Sequence, residues 1–356
     1  MKIGIIGCGK VSNAYLECAG LFPVLEIVRC ADLLPERASE QAKTFGVPRS
    51  GTVAELLADP AVELVINLTI PAAHTAVNRA ILEAGKHVFC EKPFALNRTE
   101  AAGLLELARV KNLRLGSAPD TFLGEGHQTC RKLIDDGAIG EVVAATAFMG
   151  CHGPELWHPA PAFFYQPGGG PMFDMGPYYL TTLVNMVGPM ARVTGFAKTT
   201  FQERVSTAGP ASGTRIEVNT PTHLTGAIEF ANGAIATMIM SFDIWAHQLP
   251  LLQVHGTRGS LNVPDPNFTW GTPMIYRPEI NTWMDVPFSC PSVYGEKYGR
   301  GAGVADMAEA ILAGRPHRAN GEMALHVVDA MQAFLDSSDQ GRAIELGTTC
   351  ERPAPG

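Results

Sequence analysis

Two glycines set close together after an apolar run are the first residues whose spacing suggests chemistry. In Ile5-Ile6-Gly7-Cys8-Gly9-Lys10-Val11-Ser12, Gly7 permits a tight turn and Gly9 lets the backbone approach a pyrophosphate. The helix that follows, opened by Lys10 and Val11, aims N–H donors and the positive end of its dipole at the same place. Ser12 stands where the third glycine of a dinucleotide-binding fingerprint falls. Asp32 closes the second apolar run, 23 residues after Gly9, where an acidic residue accepts hydrogen bonds from a ribose diol. A carboxylate there repels a 2′-phosphate, so the pattern favours NAD over NADP. The plainer alternatives are a Gly-rich turn and an Asp that caps the next helix. Arg37 lies inside that helix and reads as a solvated surface residue.

A second group follows the apolar runs further along. Glu91-Lys92-Pro93 comes directly after His87–Cys90. Ligands of a parallel α/β sheet sit beyond the carboxyl ends of its strands, which puts Lys92 on the nicotinamide side; the alternative is a surface lysine in a turn. Thr69 lies at the end of the run Leu64–Ile70, Pro71 and His74 follow it, and all three are expected beside the cofactor with Glu91. His74 reads either as a wall of that site or as a buried structural histidine.

The segment His152-Gly153-Pro154-Glu155-Leu156-Trp157-His158-Pro159 concentrates polar and aromatic groups between a strand and a helix. Aromatic faces beside hydrogen-bonding side chains suit a sugar ring or aglycone, so His152, Trp157 and His158 are candidate substrate contacts. A structured loop at a domain junction is the alternative. Asp120 and Phe122 are expected to face the same place. His152, Glu155 and His158 have the composition of metal ligands, but Pro154 and Pro159 break helical spacing and there is no H-E-x-x-H, so no metal is expected.

The elements that must position these residues can be read from the apolar pattern. Runs without polar alternation (2–6, 25–31, 64–70, 87–90, 114–117) alternate with helical patterns (12–21, 35–45, 52–58, 73–84, 98–111), which means a parallel sheet covered on both faces. The grammar changes after Asp120. Helices are expected at 126–136 and 173–187, and strands at 141–149, 192–201, 215–220, 224–230, 234–242 and 251–256, with Asn232-Gly233 marking a hairpin. Late helices are expected at 301–313 and 321–337. The fold class is therefore α/β: a doubly wound Rossmann domain over 1–121, then an α+β domain over 122–356 with a large, mostly antiparallel open sheet.

The chain has 356 residues, 46% hydrophobic and 17% charged, a globular profile. Its 27 Lys+Arg against 35 Asp+Glu leave a net charge of -8, which disfavours a nucleic-acid partner. No apolar run reaches about 18 residues, so no membrane span is expected, and the first apolar run is too short for a signal peptide. The eight Cys show no C-x-x-C and read as reduced thiols of a cytoplasmic protein.

Gly7-x-Gly9, Asp32, Pro71-x-x-His74, Glu91-Lys92-Pro93 and Gly168-Gly169-Gly170-x-x-x-Asp174-x-Gly176-x-Tyr178, in this order, resemble the Gfo/Idh/MocA oxidoreductases over nearly the whole chain. The resemblance implies that Gly7, Gly9 and Asp32 hold NAD and that Lys92 hydrogen-bonds the reacting hydroxyl. Asp174 would orient the substrate or the acid/base. Tyr178 stands where the family's usual histidine acid/base is found, and Thr181 replaces its usual following Asp.

Oxidising an alcohol needs a base for the hydroxyl proton while hydride leaves for the nicotinamide. A free Tyr, with pKa about 10, is a poor base, but a nearby Lys⁺ favours its phenolate. On one continuous helix Asp174 and Tyr178, four residues apart, would share a face. The expected activity is transfer of hydride between NAD and a secondary hydroxyl of a sugar, polyol or glycoside, with Lys92, Asp174 and Tyr178 also touching substrate. The alternatives are a dihydrodiol dehydrogenase-like activity on a cyclic diol, a non-catalytic NAD-binding regulator, and a packed aromatic role for Tyr178. The open sheet has a face that needs cover, and the resemblance implies that this face pairs subunits into a homodimer or homotetramer.

Overall fold

A computed structural model describes residues 1–289 and 299–356; Cys290, one of the expected thiols, lies outside them. The described chain divides into two compact units. One comprises residues 1–125 and 299–328, the other 126–289 and 329–355. The second expected domain, 122–356, is therefore not continuous: 299–328 belongs with the N-terminal unit.

The first unit is built on strands β1 (Lys2–Ile6), β2 (Glu26–Ala31), β3 (Arg49–Gly51), β4 (Leu64–Asn67), β5 (His87–Cys90) and β6 (Leu115–Ser117). They form one sheet in the order β3-β2-β1-β4-β5-β6, every pair parallel. All of β4 is buried, as are the last four residues of β1, because helices cover both faces. Those helices are α1 (Lys10–Ala19), α2 (Pro35–Phe45), α3 (Val53–Ala58), α4 (His74–Glu83) and α5 (Arg98–Val110). Their ends follow local chemistry. Pro35 starts α2 and the left-handed Gly46 ends it. Thr52 and Glu55 form a capping box on α3, and Asn97 caps α5.

The second unit begins with α6 (Glu125–Asp135), whose first residue lies at the end of the first unit, and β7 (Val142–Gly150). The expected helix 173–187 is two pieces, α7 (Gly170–Asp174) and α8 (Gly176–Met186), with Met175 between them. Pro177 has no N–H to continue the ladder and its ring would clash with the carbonyl four residues back. Strands β8 (Met190–Lys198), β9 (Glu203–Val205), β10 (Arg215–Glu217), β11 (His223–Phe230), β12 (Ile235–Ser241), β13 (Leu252–Gly256), β14 (Gly259–Val263), β15 (Met274–Arg277) and β16 (Thr282–Asp285) follow.

The chain then contributes α9 (Ala302–Ala313) to the first unit. α10 (Gly321–Gln340) runs on into the second, which ends with β17 (Ile344–Glu345). Nine strands of the second unit make one sheet, β16-β15-β14-β13-β7-β12-β11-β8-β17. It is antiparallel except where β12 runs parallel to β7. Strands β9 and β10 pair separately. Asn232-Gly233 turns β11 into β12, with Gly233 at φ +87°. No helix among the described residues is long and apolar enough to cross a membrane.

Candidate active site

The expected cofactor residues gather at the carboxyl ends of β1, β2, β4 and β5. Gly7 is forced to be glycine: its φ is +99°, and an added Cβ would lie 2.6 Å from the Leu68 carbonyl carbon. Gly9 caps α1 with no side-chain hydrogen bond, and a Cβ there would meet nothing within 4 Å. The start of α1 is therefore open on the side where a Gly9 side chain would stand.

Asp32 is tied into this loop. Its Oδ2 accepts the Cys8 N–H at 2.7 Å and its Oδ1 the Leu34 N–H at 2.9 Å. The N-cap of α2 is Leu34, so Asp32 is not that helix's cap. Each carboxylate oxygen has two lone pairs, so one remains on each for a ribose hydroxyl.

Beyond β4, Thr69 donates both its N–H and its Oγ1 hydroxyl to Asn67 Oδ1. Pro71 opens a single 3-10 turn that leads into α4. His74 is 1% exposed. Its Nδ1 is 2.7 Å from the Pro93 carbonyl oxygen and its Nε2 is 2.9 Å from that of Thr69. A neutral ring carries one N–H and donates to one of these two carbonyls; of the two readings the sequence left open, the buried structural histidine is the one this burial supports. Burial pushes its pKa below the ordinary histidine value, against the pull of the two carbonyls.

Glu91 is also turned inward. Its Oε1 accepts the Tyr15 hydroxyl at 2.9 Å and its Oε2 the Lys92 backbone N–H at 2.8 Å, so both carboxylate oxygens have partners within the unit. Lys92 itself is half-buried.

Asp120, expected to face the substrate, is held inside the first unit. It is fully buried, and its Oδ2 accepts the Gly301 and Gly303 N–H groups, each at 2.9 Å. These donors open α9, where a carboxylate meets unsatisfied N–H groups and the helix dipole. Phe122 is buried too. Burial raises the Asp120 carboxyl above the usual range, while the Arg300 charge and the two backbone donors pull it down.

The second unit holds the remaining candidates. Tyr178 lies in the first turn of α8 and is 5% exposed; Asp174 ends α7 and is half-buried. The expectation that one continuous helix puts them on a common face is corrected by the break at Met175. His152 stacks on Trp245, ring centroids 3.4 Å apart and planes within 9°. Trp157 is 61% exposed, edge-on to His158 and Phe164. His158 Nδ1 accepts the Ala160 N–H.

Sequence reasoning missed the network that fixes this loop. Arg204 pairs with Glu155 at 2.9 Å and with Asp243, while Glu155 accepts the Tyr165 hydroxyl. Glu155 is thereby engaged in an ion pair. The available signal was Arg204 itself, a charge on the inward side of the alternating strand Glu203–Val205. Tyr15 was missed as well; it is the one residue with a polar tip among large side chains on the buried face of α1.

Residues 1–118 match the oxidoreductase family model for an NAD-binding Rossmann fold, and residues 127–262 match the GFO/IDH/MocA C-terminal domain. The chain belongs to the Gfo/Idh/MocA family of oxidoreductases. It is 27% identical over 292 residues to a trans-1,2-dihydrobenzene-1,2-diol dehydrogenase of Xenopus tropicalis, covering 78% of this chain and 87% of that one. It is 25% identical over 289 residues to the levoglucosan dehydrogenase of Pseudarthrobacter phenanthrenivorans, covering 73% of each. A solved levoglucosan dehydrogenase in complex with NADH and L-sorbose has the same fold, with a TM-score of 0.83 at 22% identity, over 98% of this chain and 99% of the other.

Proposed function

We propose that this oxidoreductase uses NAD to oxidise a secondary hydroxyl of a sugar, polyol or glycoside, or to reduce the corresponding ketone. The observation that carries the reading is Asp32. Its carboxylate, anchored to the glycine loop through Cys8, keeps a free lone pair on each oxygen for the ribose diol. Leu33, 90% exposed beside it, offers no positive charge to a 2′-phosphate, which favours NAD over NADP. The relatives named for levoglucosan and for a dihydrodiol support a cyclic alcohol as substrate.

Bound NAD supplies the hydride acceptor at the carbinol carbon. Lys92 donates a hydrogen bond to the hydroxyl oxygen and stabilises the alkoxide character that develops there. Tyr178 takes the hydroxyl proton, its phenolate favoured by a positive charge, and Asp174 orients the reacting groups. His152, Trp157 and His158 supply ring faces and hydrogen bonds to a sugar. Residues 1–121 serve as the cofactor domain, and the larger part of 122–356 carries the substrate and subunit contacts. The open face of the nine-stranded sheet pairs two copies of the chain.

The test is reduced-nicotinamide absorbance with NAD and a panel of levoglucosan, glucose, myo-inositol and trans-1,2-cyclohexanediol. Turnover on at least one alcohol is expected, with Lys92→Ala and Tyr178→Phe each lowering kcat at least about 100-fold, as loss of a positioned acid/base group does, while NAD still binds. NAD binding with no turnover on any of them would instead make the protein a regulator.

A further inference from the structure

Three buried polar side chains converge on the Lys92-Pro93 dipeptide from two sides. On one side Glu91 Oε2 accepts the Lys92 N–H at 2.8 Å, and Glu91 Oε1 accepts the Tyr15 hydroxyl at 2.9 Å. On the other, His74 Nδ1 lies 2.7 Å from the Pro93 carbonyl oxygen and Nε2 lies 2.9 Å from that of Thr69. We propose that Tyr15, Glu91 and His74 are positioning residues, a clamp that fixes the backbone on which Lys92 is carried and so sets where its ammonium meets the reacting hydroxyl. The proposal rests on the reading of Lys92 given above.

Burial separates this role from direct chemistry. Tyr15, Glu91 and His74 are 3%, 6% and 1% exposed, and the polar atoms just named face protein partners. A carboxylate this buried is tolerated only with hydrogen bonds to satisfy it. Tyr15 and the Lys92 amide are the donors that do so. Burial and the Glu91 charge hold the Tyr15 phenol well above its ordinary pKa, so it remains a donor.

The clamp also joins the elements that the cofactor needs. Tyr15 rides on α1, the helix that begins at the glycine loop. His74 opens α4 and sets its ring between the Pro93 and Thr69 carbonyl oxygens, donating its single N–H to one of them and packing against the other. Asn67 strengthens that side by donating from Nδ2 to the His74 carbonyl oxygen at 3.3 Å, while its own carbonyl oxygen accepts the Glu91 N–H at 2.9 Å. Lys92 is thus referenced to both sides of the expected nicotinamide site through buried side chains of neighbouring elements. Misplacement of a reacting group by about 1 Å costs on the order of 100-fold in rate, so a loosened clamp should show in kcat.

The experiment uses Tyr15→Phe, Glu91→Gln and His74→Asn in the full chain, with two readouts. The first is hydrogen exchange at the Lys92 amide, which needs no substrate. Loss of one anchoring hydrogen bond should speed exchange about tenfold. The second is kcat on the panel alcohol that turns over fastest. It should fall about 10- to 100-fold, with KM and NAD affinity changed less than about threefold and Glu91→Gln milder than Glu91→Ala. Tyr15→Phe leaves the ring in its cavity and removes only the hydroxyl, so it reports on the clamp even if another variant fails to fold. Unchanged exchange, or faster exchange with kcat within about twofold of wild type, overturns the clamp. A loss of rate that merely follows a loss of NAD affinity overturns it too. If Lys92→Ala itself keeps full turnover, it is the reading of Lys92 that fails, and the exchange result still reports whether the clamp holds the turn.

Discussion

At the scale of single residues, Asp32 has two tasks for one carboxylate. It holds the Cys8 and Leu34 N–H groups and is proposed to receive two ribose hydroxyls. Hydrogen bonds to a charged group contribute about 1.5–3 kcal/mol each, so Asp32→Ala should weaken NAD binding by at least about tenfold. NADP binding should weaken less, because the repulsion of its phosphate goes with the carboxylate. Fluorescence titration with both dinucleotides measures this, and an unchanged ratio of the two Kd values would remove Asp32 from the ribose site. Asp32 and Lys92 were legible in the sequence because each sits at the end of a short apolar strand, a local signal. Asp120 was not. Its partners Gly301 and Gly303 lie 181 and 183 residues along the chain, and no nearby residue announces them. His74 and Glu91 were expected beside the cofactor, but their inward orientation depends on Tyr15, Thr69 and Pro93, which lie outside the local pattern.

At the scale of elements, the boundaries follow how much of each signal is local. The strand His87–Cys90 and the helix Pro35–Phe45 stand where the sequence places them, since a short apolar run and a Pro-to-Gly frame are read without tertiary help. The strands Arg49–Gly51, Thr282–Asp285 and Ile344–Glu345 went unread: they are short, polar or exposed, and exist through pairing with a neighbour. Glycines in the middle of strands carry a similar lesson. Gly195 on β8 faces Gly226 on β11, an unpromising pair for strand propensity. Their reason is Phe334 of α10, 1% exposed, whose ring would lie 2.8 Å from an added Cβ at either position. At Gly226 the new Cβ would also overlap the Thr194 carbonyl oxygen, which is backbone and cannot rotate away. Gly226→Ala should therefore destabilise the chain by about 1–3 kcal/mol, the usual cost of overpacking. The check is a denaturant or thermal melt, and a melt equal to wild type would show that the helix can lift from the sheet without cost.

At the scale of the whole molecule, the question is what covers the outward face of the nine-stranded sheet. The pairing register aligns residues in rows across that face. One row runs Asn262, Gln253, Thr146, Thr237, Ala227, Thr194, and the next runs Phe148, Ile239, Thr225, Phe196. Over these central strands neither contains a charge; the first row continues through Met274 to Asp285 on the edge strand β16. The nearest ion pair, Arg192 with Glu229, stands one row away. A broad uncharged strip of small, β-branched and aromatic residues, with Phe196 75% exposed, has the character of a surface meant to be covered. A second copy of the same face is the simplest cover that closes on itself, and a stable interface of that kind buries roughly 1,200–2,000 Å². Thr237 sits at its middle. On an exposed strand position Thr237→Arg should cost a lone chain less than about 0.5 kcal/mol, yet in a paired face it would bury two like charges near one another. Sedimentation velocity at micromolar concentration should give a dimer or tetramer for the wild type and a smaller species for Thr237→Arg. A wild type that sediments as a monomer, or a variant that assembles as fully as wild type, would place the subunit contact elsewhere or nowhere on this sheet.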